Sequence, residues 1–391
     1  MSDTGSGPAP GPAQGGFTTA HRILLRGAED LSGIEDASVD LVVTSPPYPM
    51  IEMWDEVFAA QDPAIGKALK DGGGLRAFDR MHELLTRVWR ECYRVLKPGA
   101  VACVNIGDAT RSVSGHFRLY PNHSRIIERC VDLGFQSLPI ILWRKQTNAP
   151  NKFMGSGMLP GGAYVTLEHE YVLVLRKGHK RQYGDEDRRR RRESAYFWEE
   201  RNRWFSDLWD FKGVRQMLAG PGRDSPRKQL RERSAAFPFE LAYRLINMYS
   251  MRGDLVLDPF LGTGTTTAAA VTAARNSLGV EIDEAFREEV FLSVASAAAR
   301  MNARVWDRLA GHLEFVERRQ AEGTDALKHF NVPHGFPVMT GQETELTLSY
   351  VSEIHRDDSE SFTAFHRDVG PVTAGTVSPP PPMLWGFPQE A

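Results

Sequence analysis

The segment Asp254-Leu-Val-Leu-Asp-Pro-Phe-Leu-Gly-Thr-Gly-Thr-Thr-Thr267 constrains the fold more than any other stretch of the chain. A short apolar strand runs into a glycine-rich turn, and the turn runs into a helix of small residues. That order places the turn in the crevice beyond the carboxyl end of a parallel strand, where α/β sheets bind ligands. Gly262 and Gly264 carry no Cβ, so a ligand can approach the backbone closely. Seventeen residues after Gly264, at the end of the next apolar strand, stands Glu281, a carboxylate able to accept hydrogen bonds from both hydroxyls of a ribose. The dinucleotide fingerprint GxGxxG and the P-loop lysine are both absent. The pattern therefore points to a nucleoside ligand without a pyrophosphate rather than to a tight turn beside a solvated strand end.

Alternation of strands and helices extends over much of the chain. Val39–Val43 is an apolar strand ending at Thr44-Ser-Pro-Pro-Tyr48, where two prolines forbid further ladder bonding. Apolar residues Met81, Leu84, Leu85, Val88, Trp89 and Cys92 recur at three and four, predicting an amphipathic helix over Asp79–Tyr93. Strands are expected at Ala100–Ile106, Leu138–Trp143 and 171–175, with a helix capped by Asn122 between the first two. A helix at Pro238–Tyr249, the glycine turn, a helix at Thr265–Ala274, a strand at Ser277–Ile282 and a helix over about Glu284–Arg304 follow.

The chain divides into a flexible Gly/Pro/Ser leader (1–18), a first α/β half (19–143), a looser middle region (144–236, including the strand 171–175), a second α/β half (237–305) and an extension (306–391). The extension shows weak periodicity and a proline run at Pro379–Pro382, so it reads as partly disordered. Among 391 residues, 41% are hydrophobic and 25% charged, which excludes global disorder. No apolar run is long enough to cross a bilayer and the start lacks the features of a secretion signal, so no membrane partner is expected. Three cysteines, Cys92, Cys103 and Cys130, make a disulfide framework or cysteine-rich metal site unexpected and fit a reducing cytoplasm.

The formal charge of −3 hides an asymmetry: from Gly323 onward three basic side chains face nine acidic ones, leaving +3 on the residues before. The stretches Arg176–Arg192 and Arg201–Arg233 hold nine basic residues each, a local field suited to a polyanion. The run Arg188–Arg192 reads either as a phosphate-binding segment or as a solvated loop. Trp198, Trp204 and Trp209 read as core more readily than as stacking platforms.

At the carboxyl end of its strand, Ser45-Pro46-Pro47-Tyr48 holds the Pro46 carbonyl and Ser45 hydroxyl facing outward on a rigid backbone. Both are acceptors, which is what gripping an exocyclic amine requires, and Tyr48 offers a flat face for a base. Acceptors aimed at the hydrogens of an aryl amine favour its pyramidalisation and push electron density toward an incoming methyl group.

These two segments resemble the S-adenosylmethionine-dependent amino-methyltransferases of DNA, in the permuted order called beta, with Thr44-Ser-Pro-Pro-Tyr48 first and Asp258-Pro-Phe-Leu-Gly-Thr-Gly-Thr-Thr266 last. The resemblance covers about Arg22 to Leu292 and includes Val95-Leu-Lys-Pro-Gly99 and His169-Glu-Tyr-Val-Leu173. It implies a class I methyltransferase fold: a Rossmann-like, mostly parallel sheet with helices on both faces, circularly permuted and carrying an inserted recognition region. It implies that Ser45, Pro46, Pro47 and Tyr48 form the catalytic turn. It assigns the cofactor to Asp258, Pro259, Phe260, Gly262, Gly264 and Thr265, to Glu281 and Asp283, and to Phe237 at the start of the helix covering the methionine end. Many relatives carry Gly-Asp near the chain start for the adenine; here the place reads Gly27-Ala28-Glu29-Asp30, so Glu29 or Asp30 substitutes or the contact is missing.

In that family Ser-Pro-Pro-Tyr accompanies cytosine-N4 methylation, whereas Asp or Asn in the first place accompanies adenine-N6. The resemblance therefore implies a site-specific cytosine-N4 methyltransferase acting on duplex DNA by flipping the base, as monomer or homodimer, either beside a restriction endonuclease that acts on the same site without a stable complex or as a solitary modifier. Adenine-N6 methylation, RNA methylation and a catalytically silent nucleic-acid binder are the competing readings. C5-methylation would need a cysteine nucleophile, and no cysteine has that sequence context.

Overall fold

The structure, a computed structural model, describes residues 16–145, 154–211, 237–323, 327–373 and 384–386. The strands up to the middle of the chain are β1 (Gly16–Leu25), β2 (Val39–Thr44), β3 (Leu96–Ile106), β4 (Ala109–Val113), β5 (His116–Tyr120), β6 (Phe135–Ser137), β7 (Ile141–Arg144), β8 (Met154–Gly155) and β9 (Ala163–Tyr164). Then come β10 (His169–Lys177), β11 (Leu208–Asp210), β12 (Leu255–Asp258), β13 (Asn276–Glu281), β14 (His329–Asn331), β15 (Phe336–Val338), β16 (Ser349–Arg356), β17 (Ser361–Asp368) and β18 (Leu384–Gly386). The helices are α1 (Asp55–Gln61), α2 (Pro63–Lys70), α3 (Gly74–Val95), α4 (Asn122–Asp132), α5 (Asp185–Glu193), α6 (Trp198–Trp204), α7 (Phe239–Tyr249), α8 (Thr265–Thr272) and α9 (Phe286–Ala321).

Twelve strands form one sheet in the order β11-β7-β10-β3-β2-β12-β13-β1-β17-β16-β18, with β6 also on β10. From β3 through β2, β12 and β13 to β1 every pairing is parallel, while β10 runs antiparallel to β3. The expected α/β class is thus the observed one. Because the central strands are covered on both faces they are largely apolar, without strict alternation; all of β2 is buried, Asp40 and Thr44 included. Val42, Ala102 and Val104 pack under α3 and α4, whereas Leu41, Val43 and Cys103 pack under α7 and α8.

The stripe Met81, Leu84, Leu85, Val88 and Cys92 is buried as its spacing requires, and α3 extends further than predicted at both ends. Pro98 biases Lys97 away from helical geometry, so the chain turns directly into β3. Asn122 does not cap its helix. It is the first helical residue, fully buried, with its amide donating to the carbonyls of Pro49 and Gly107 while His82 Nε2 lies 3.0 Å from its Oδ1. It ties the segment after Tyr48 to the end of β3.

Both chain ends depart from expectation. Residues 1–15 of the leader lie outside the described residues, but Gly16 to Thr18 already belong to β1. In its described residues the extension is packed rather than loose, while the proline run Pro379–Pro382 lies outside them: α9 continues through the boundary at 305 to Ala321, and β17 pairs antiparallel with β1 from Arg367 opposite Gly16 to Ser361 opposite Arg22. Its inward residues Phe362, Ala364 and His366 are buried, alternating with the more exposed Ser361, Thr363, Phe365 and Arg367. Average acidity masks that alternation. Among the described residues no helix is long and apolar enough to cross a membrane.

The arginine run forms α5 rather than a loop, and it lies at the far end of the sheet from the crevice. Arg190 reaches Asp254, which precedes β12, at 2.9 Å, and Arg181 reaches Asp40 near the start of β2 at 3.0 Å. Arg188, Arg189 and Arg192 pair with Asp185, Glu193 and Glu345, while Arg191 stacks over Tyr183. Trp204 and Trp209 are core residues, as expected, whereas Trp198 is about one-third exposed.

If the extension is part of the packed sheet, Phe362→Ala should destabilise the protein by about 3–5 kcal/mol, the usual cost of emptying a buried phenylalanine site. Urea unfolding measures it, and a negligible change would return this region to the status of a tail.

Candidate active site

The parallel strands bring four segments to one edge: the turn after β2, the turn after β12, the end of β13 and the segment after β1. Between them opens a cavity of roughly 1030 Å³, continuous with solvent. Ser45 and Pro47 line one side, Pro259, Phe260, Gly262, Glu281 and Asp283 another, and Glu29 lies on the same wall system. The two motifs, more than two hundred residues apart in sequence, therefore share a single chamber.

Gly262 and Gly264 have φ of +53° and +81°, and a Cβ on Gly264 would come within 2.8 Å of Val290 Cγ1. Glycine is thus required for backbone conformation and, at Gly264, for helix packing. Thr265 opens α8 directly after the turn. Glu281 Oε2 accepts from the Gly262 amide at 2.9 Å, and Oε1 accepts from the Ile282 and Asp283 amides at 3.0 Å each. Burial raises its pKa against the opposing pull of these bonds. The carboxylate lies on the cavity wall and shapes the turn opposite it.

Asp258 lies beneath the floor. Thr44 Oγ1 and Thr266 Oγ1 each donate to it at 2.6 Å, and the Phe260 amide donates at 3.1 Å. Burial nevertheless pushes its carboxyl up to about 6. Between the ambiguous pair near β1, Glu29 lines the cavity, whereas Asp30 is exposed and accepts from the Ser32 amide at 2.9 Å. Phe237 is buried in the core near α7 and does not line the chamber.

The catalytic-turn candidates divide similarly. Pro46 is buried, and Tyr48 stands behind Ser45 with its hydroxyl inside a polar cluster. Ser45 Oγ donates to Tyr48 Oη at 3.1 Å, and Tyr48 Oη donates to Glu170 Oε2 at 3.0 Å. Asn105 Nδ2 donates to both, at 2.9 and 2.6 Å, and Lys145 pairs with the other Glu170 oxygen. Burial first, and the neighbouring Glu170 charge second, drive the Tyr48 phenol well above its ordinary range.

Sequence reasoning treated Glu170 only as part of a scaffold strand and assigned no role to Asn105 or Lys145. The available signal was a carboxylate near the start of an otherwise apolar strand. It also read Leu84, Leu85 and Val88 as core alone, although these face the chamber, with Trp54, Phe58 and Phe286 completing apolar walls. Flat apolar walls beside acceptors suit an adenosine-bearing cofactor. The free cysteines Cys92, Cys103 and Cys130 are buried, their thiols are pushed up by burial, and none lines the chamber.

A mixed sheet with parallel central strands, carrying a glycine turn, an acidic strand end and a double-proline turn around one chamber, defines a class I methyltransferase domain. The family model described as DNA methylase matches residues 39–292. The type II methyltransferase M.MthZI of Methanothermobacter thermautotrophicus is 49% identical over 356 residues, covering 90% of this chain and 97% of that protein. M.MjaI of Methanocaldococcus jannaschii is 49% identical over 282 residues, covering 69% and 90%. The solved structure of a putative DNA modification methylase from Thermus thermophilus, complexed with S-adenosyl-L-methionine, is 33% identical, covers 71% of this chain and 95% of its own, and superposes with a TM-score of 0.54. The chain belongs to the DNA methylase family, the permuted S-adenosylmethionine-dependent amino-methyltransferases of DNA.

The raised Asp258 pKa carries a sign for stability. A carboxyl that holds its proton more tightly when folded contributes stability below its unfolded value, and that contribution is lost as pH rises toward about 6. Asp258→Asn removes this titration, and Thr266 can redirect its hydroxyl to the Val43 carbonyl 3.3 Å away. The stability of the wild type relative to the variant should therefore fall by about 2–3 kcal/mol between about pH 4 and 7. Urea denaturation across that range tests it; a pH-independent difference would contradict the assignment.

Proposed function

We propose that the protein transfers a methyl group from S-adenosylmethionine to the N4 amine of cytosine in duplex DNA. The observation that carries this reading is Ser45: it lines the chamber at the head of a Pro-Pro-Tyr turn, opposite the glycine turn, with its hydroxyl hydrogen already committed to Tyr48. Its lone pairs remain for the hydrogens of an amine. The Pro46 carbonyl is the second acceptor, and the serine in first place is what the family resemblance associates with cytosine.

In this reading Glu281 binds the ribose, Gly262 and Gly264 let the backbone approach, and Phe260 with Glu29 and Asp283 borders the nucleoside. Asp258 and Thr265 hold the turn, and Phe237 acts only through α7. The target base is flipped from the stack into the chamber, with Tyr48 as its aromatic support, and transfer is direct, without a covalent base intermediate. Target recognition falls to the 144–236 region, of which residues 146–153 and 212–236 lie outside the described residues. Its β8–β9 hairpin rises from the crevice edge, with Tyr164 packing on Phe117 at 4.6 Å between ring centres. The type II relatives support a companion restriction endonuclease acting on the same sequence.

Digestion of enzyme-treated plasmid DNA to nucleosides, followed by mass spectrometry, should yield N4-methylcytosine. N6-methyladenine instead would overturn the base assignment and leave the amine chemistry standing. Glu281→Ala should weaken S-adenosylmethionine binding by about 1–3 kcal/mol in calorimetry; unchanged affinity would displace the cofactor from this wall. Replacing Arg188 and Arg189 with alanine should leave the salt slope of DNA binding unchanged, because α5 lies at the opposite end of the sheet. A shallower slope would put duplex on that face.

A further inference from the structure

The polar cluster behind Ser45 has only one consistent set of hydrogen-bond directions. The Glu170 carboxylate can only accept, and it already receives Lys145 on one oxygen and Asn105 on the other. The single hydrogen of Tyr48 is therefore directed to Glu170, 3.0 Å away, and its oxygen accepts from Asn105 and Ser45. Ser45 must in turn give its hydrogen to Tyr48. The result is a unidirectional chain from the chamber inward: Ser45, Tyr48, Glu170. It crosses the ends of three neighbouring strands, β2, β3 and β10, and ends on a carboxylate that is about nine-tenths buried, beside a lysine more than one-third exposed.

We propose that this chain removes the proton that methylation of the exocyclic amine makes acidic, with Glu170 as the terminal acceptor. The inference rests on the reading of this turn as an amine-methylating centre. The cofactor, when bound, supplies the methyl group and retains the electron pair of the broken carbon–sulfur bond. The amine nitrogen uses its lone pair to form the new carbon–nitrogen bond and is left one proton in excess. That proton passes to Ser45 Oγ as the serine hydrogen passes to Tyr48 Oη and the tyrosine hydrogen to Glu170 Oε2. The base becomes neutral, both hydroxyls are restored, and the carboxylate becomes a carboxylic acid. Lys145 opens the path by which this proton returns to solvent.

The arrangement also acts before any proton moves. Hydrogen bonds that donate in series strengthen one another, so a carboxylate at the inner end makes Ser45 a better acceptor at the outer end. Glu170 thus acts through Tyr48 and Ser45. Its role differs from mere support because it requires charge and a titratable oxygen, not only shape.

Glu170→Gln separates the two, since glutamine keeps an oxygen for Tyr48 but is a far weaker base. The assay is single-turnover methyl transfer to unmethylated plasmid DNA, with product nucleosides identified by mass spectrometry, over a pH series and in heavy water. Wild type should lose rate toward acid pH, and should show a solvent isotope effect from protons in flight. The charged and titratable groups facing that carboxylate are Lys145, from the end of β7, and Tyr48, after β2. Glu170→Gln should be slower by on the order of 10²-fold, with cofactor and DNA affinity retained, and should lose both the acid limb and the isotope effect. Tyr48→Phe, which keeps the ring and breaks the chain, should reproduce the loss and serves if Glu170→Gln does not fold. A slow Glu170→Gln that keeps the wild-type acid limb and isotope effect, or wild-type rates in Glu170→Gln or Tyr48→Phe, would overturn the relay. Wild-type enzyme yielding no methylated amine would instead overturn the reading on which it rests.

Discussion

One buried carboxylate sets the relation between the two working halves. Asp258 ends β12 and accepts from Thr44, at the end of β2, and from Thr266, in the first turn of α8. Ser45 follows Thr44 directly, and the glycine turn lies between Asp258 and Thr266. A shift of either strand end would break a 2.6 Å hydrogen bond inside an apolar core, where an unmet polar group is costly. Donor and acceptor sides of the chamber are thereby indexed to each other, and orientation is a large share of what any group-transfer site contributes. That the carboxyl sits there with its pKa raised shows that this indexing is held against a desolvation cost.

The parts legible in the sequence are those governed by local rules. Two glycines between a strand and a helix, two prolines at a strand end and a three-four apolar stripe each have few conformational solutions, and the observed elements follow them. Polar interiors were not legible. Glu170 and Asn105 lie sixty-five residues apart and meet only because β10 lies against β3 in a particular register. Asn122 resembles a cap by residue type, yet its burial beside Pro49 and Gly107 depends on where α4 docks. The described part of the extension was misread because composition was weighed over the two-residue alternation around Phe362, Ala364 and His366.

Charge proved the least transferable reading. Five consecutive arginines suggest a polyanion site, but the residues around them include Asp185, Asp187 and Glu193, and the strand starts contribute Asp40 and Asp254. Salt bridges among exposed side chains add little stability individually. Arg190 and Arg181 are different, because each reaches a nearly buried aspartate at the foot of the sheet, Asp254 and Asp40, the latter shared with Lys97. Their function is to close the bottom of the molecule, and the crevice at the top owes its shape to strands anchored there.

The position of β1 has a consequence for how the chain is made. This strand leaves the ribosome first among the described elements, yet its neighbours in the sheet are β13 and β17, more than two hundred and fifty residues later. At typical elongation rates of about 5–20 residues per second, it waits roughly 10–50 s for its first partner. Throughout that interval both edges of an apolar segment are unpaired, the condition under which nascent chains misassociate. Permuted motif order thus moves a cost from thermodynamics to biosynthesis: the finished sheet closes around β1, but expression yield depends on shielding that strand until translation reaches the second half.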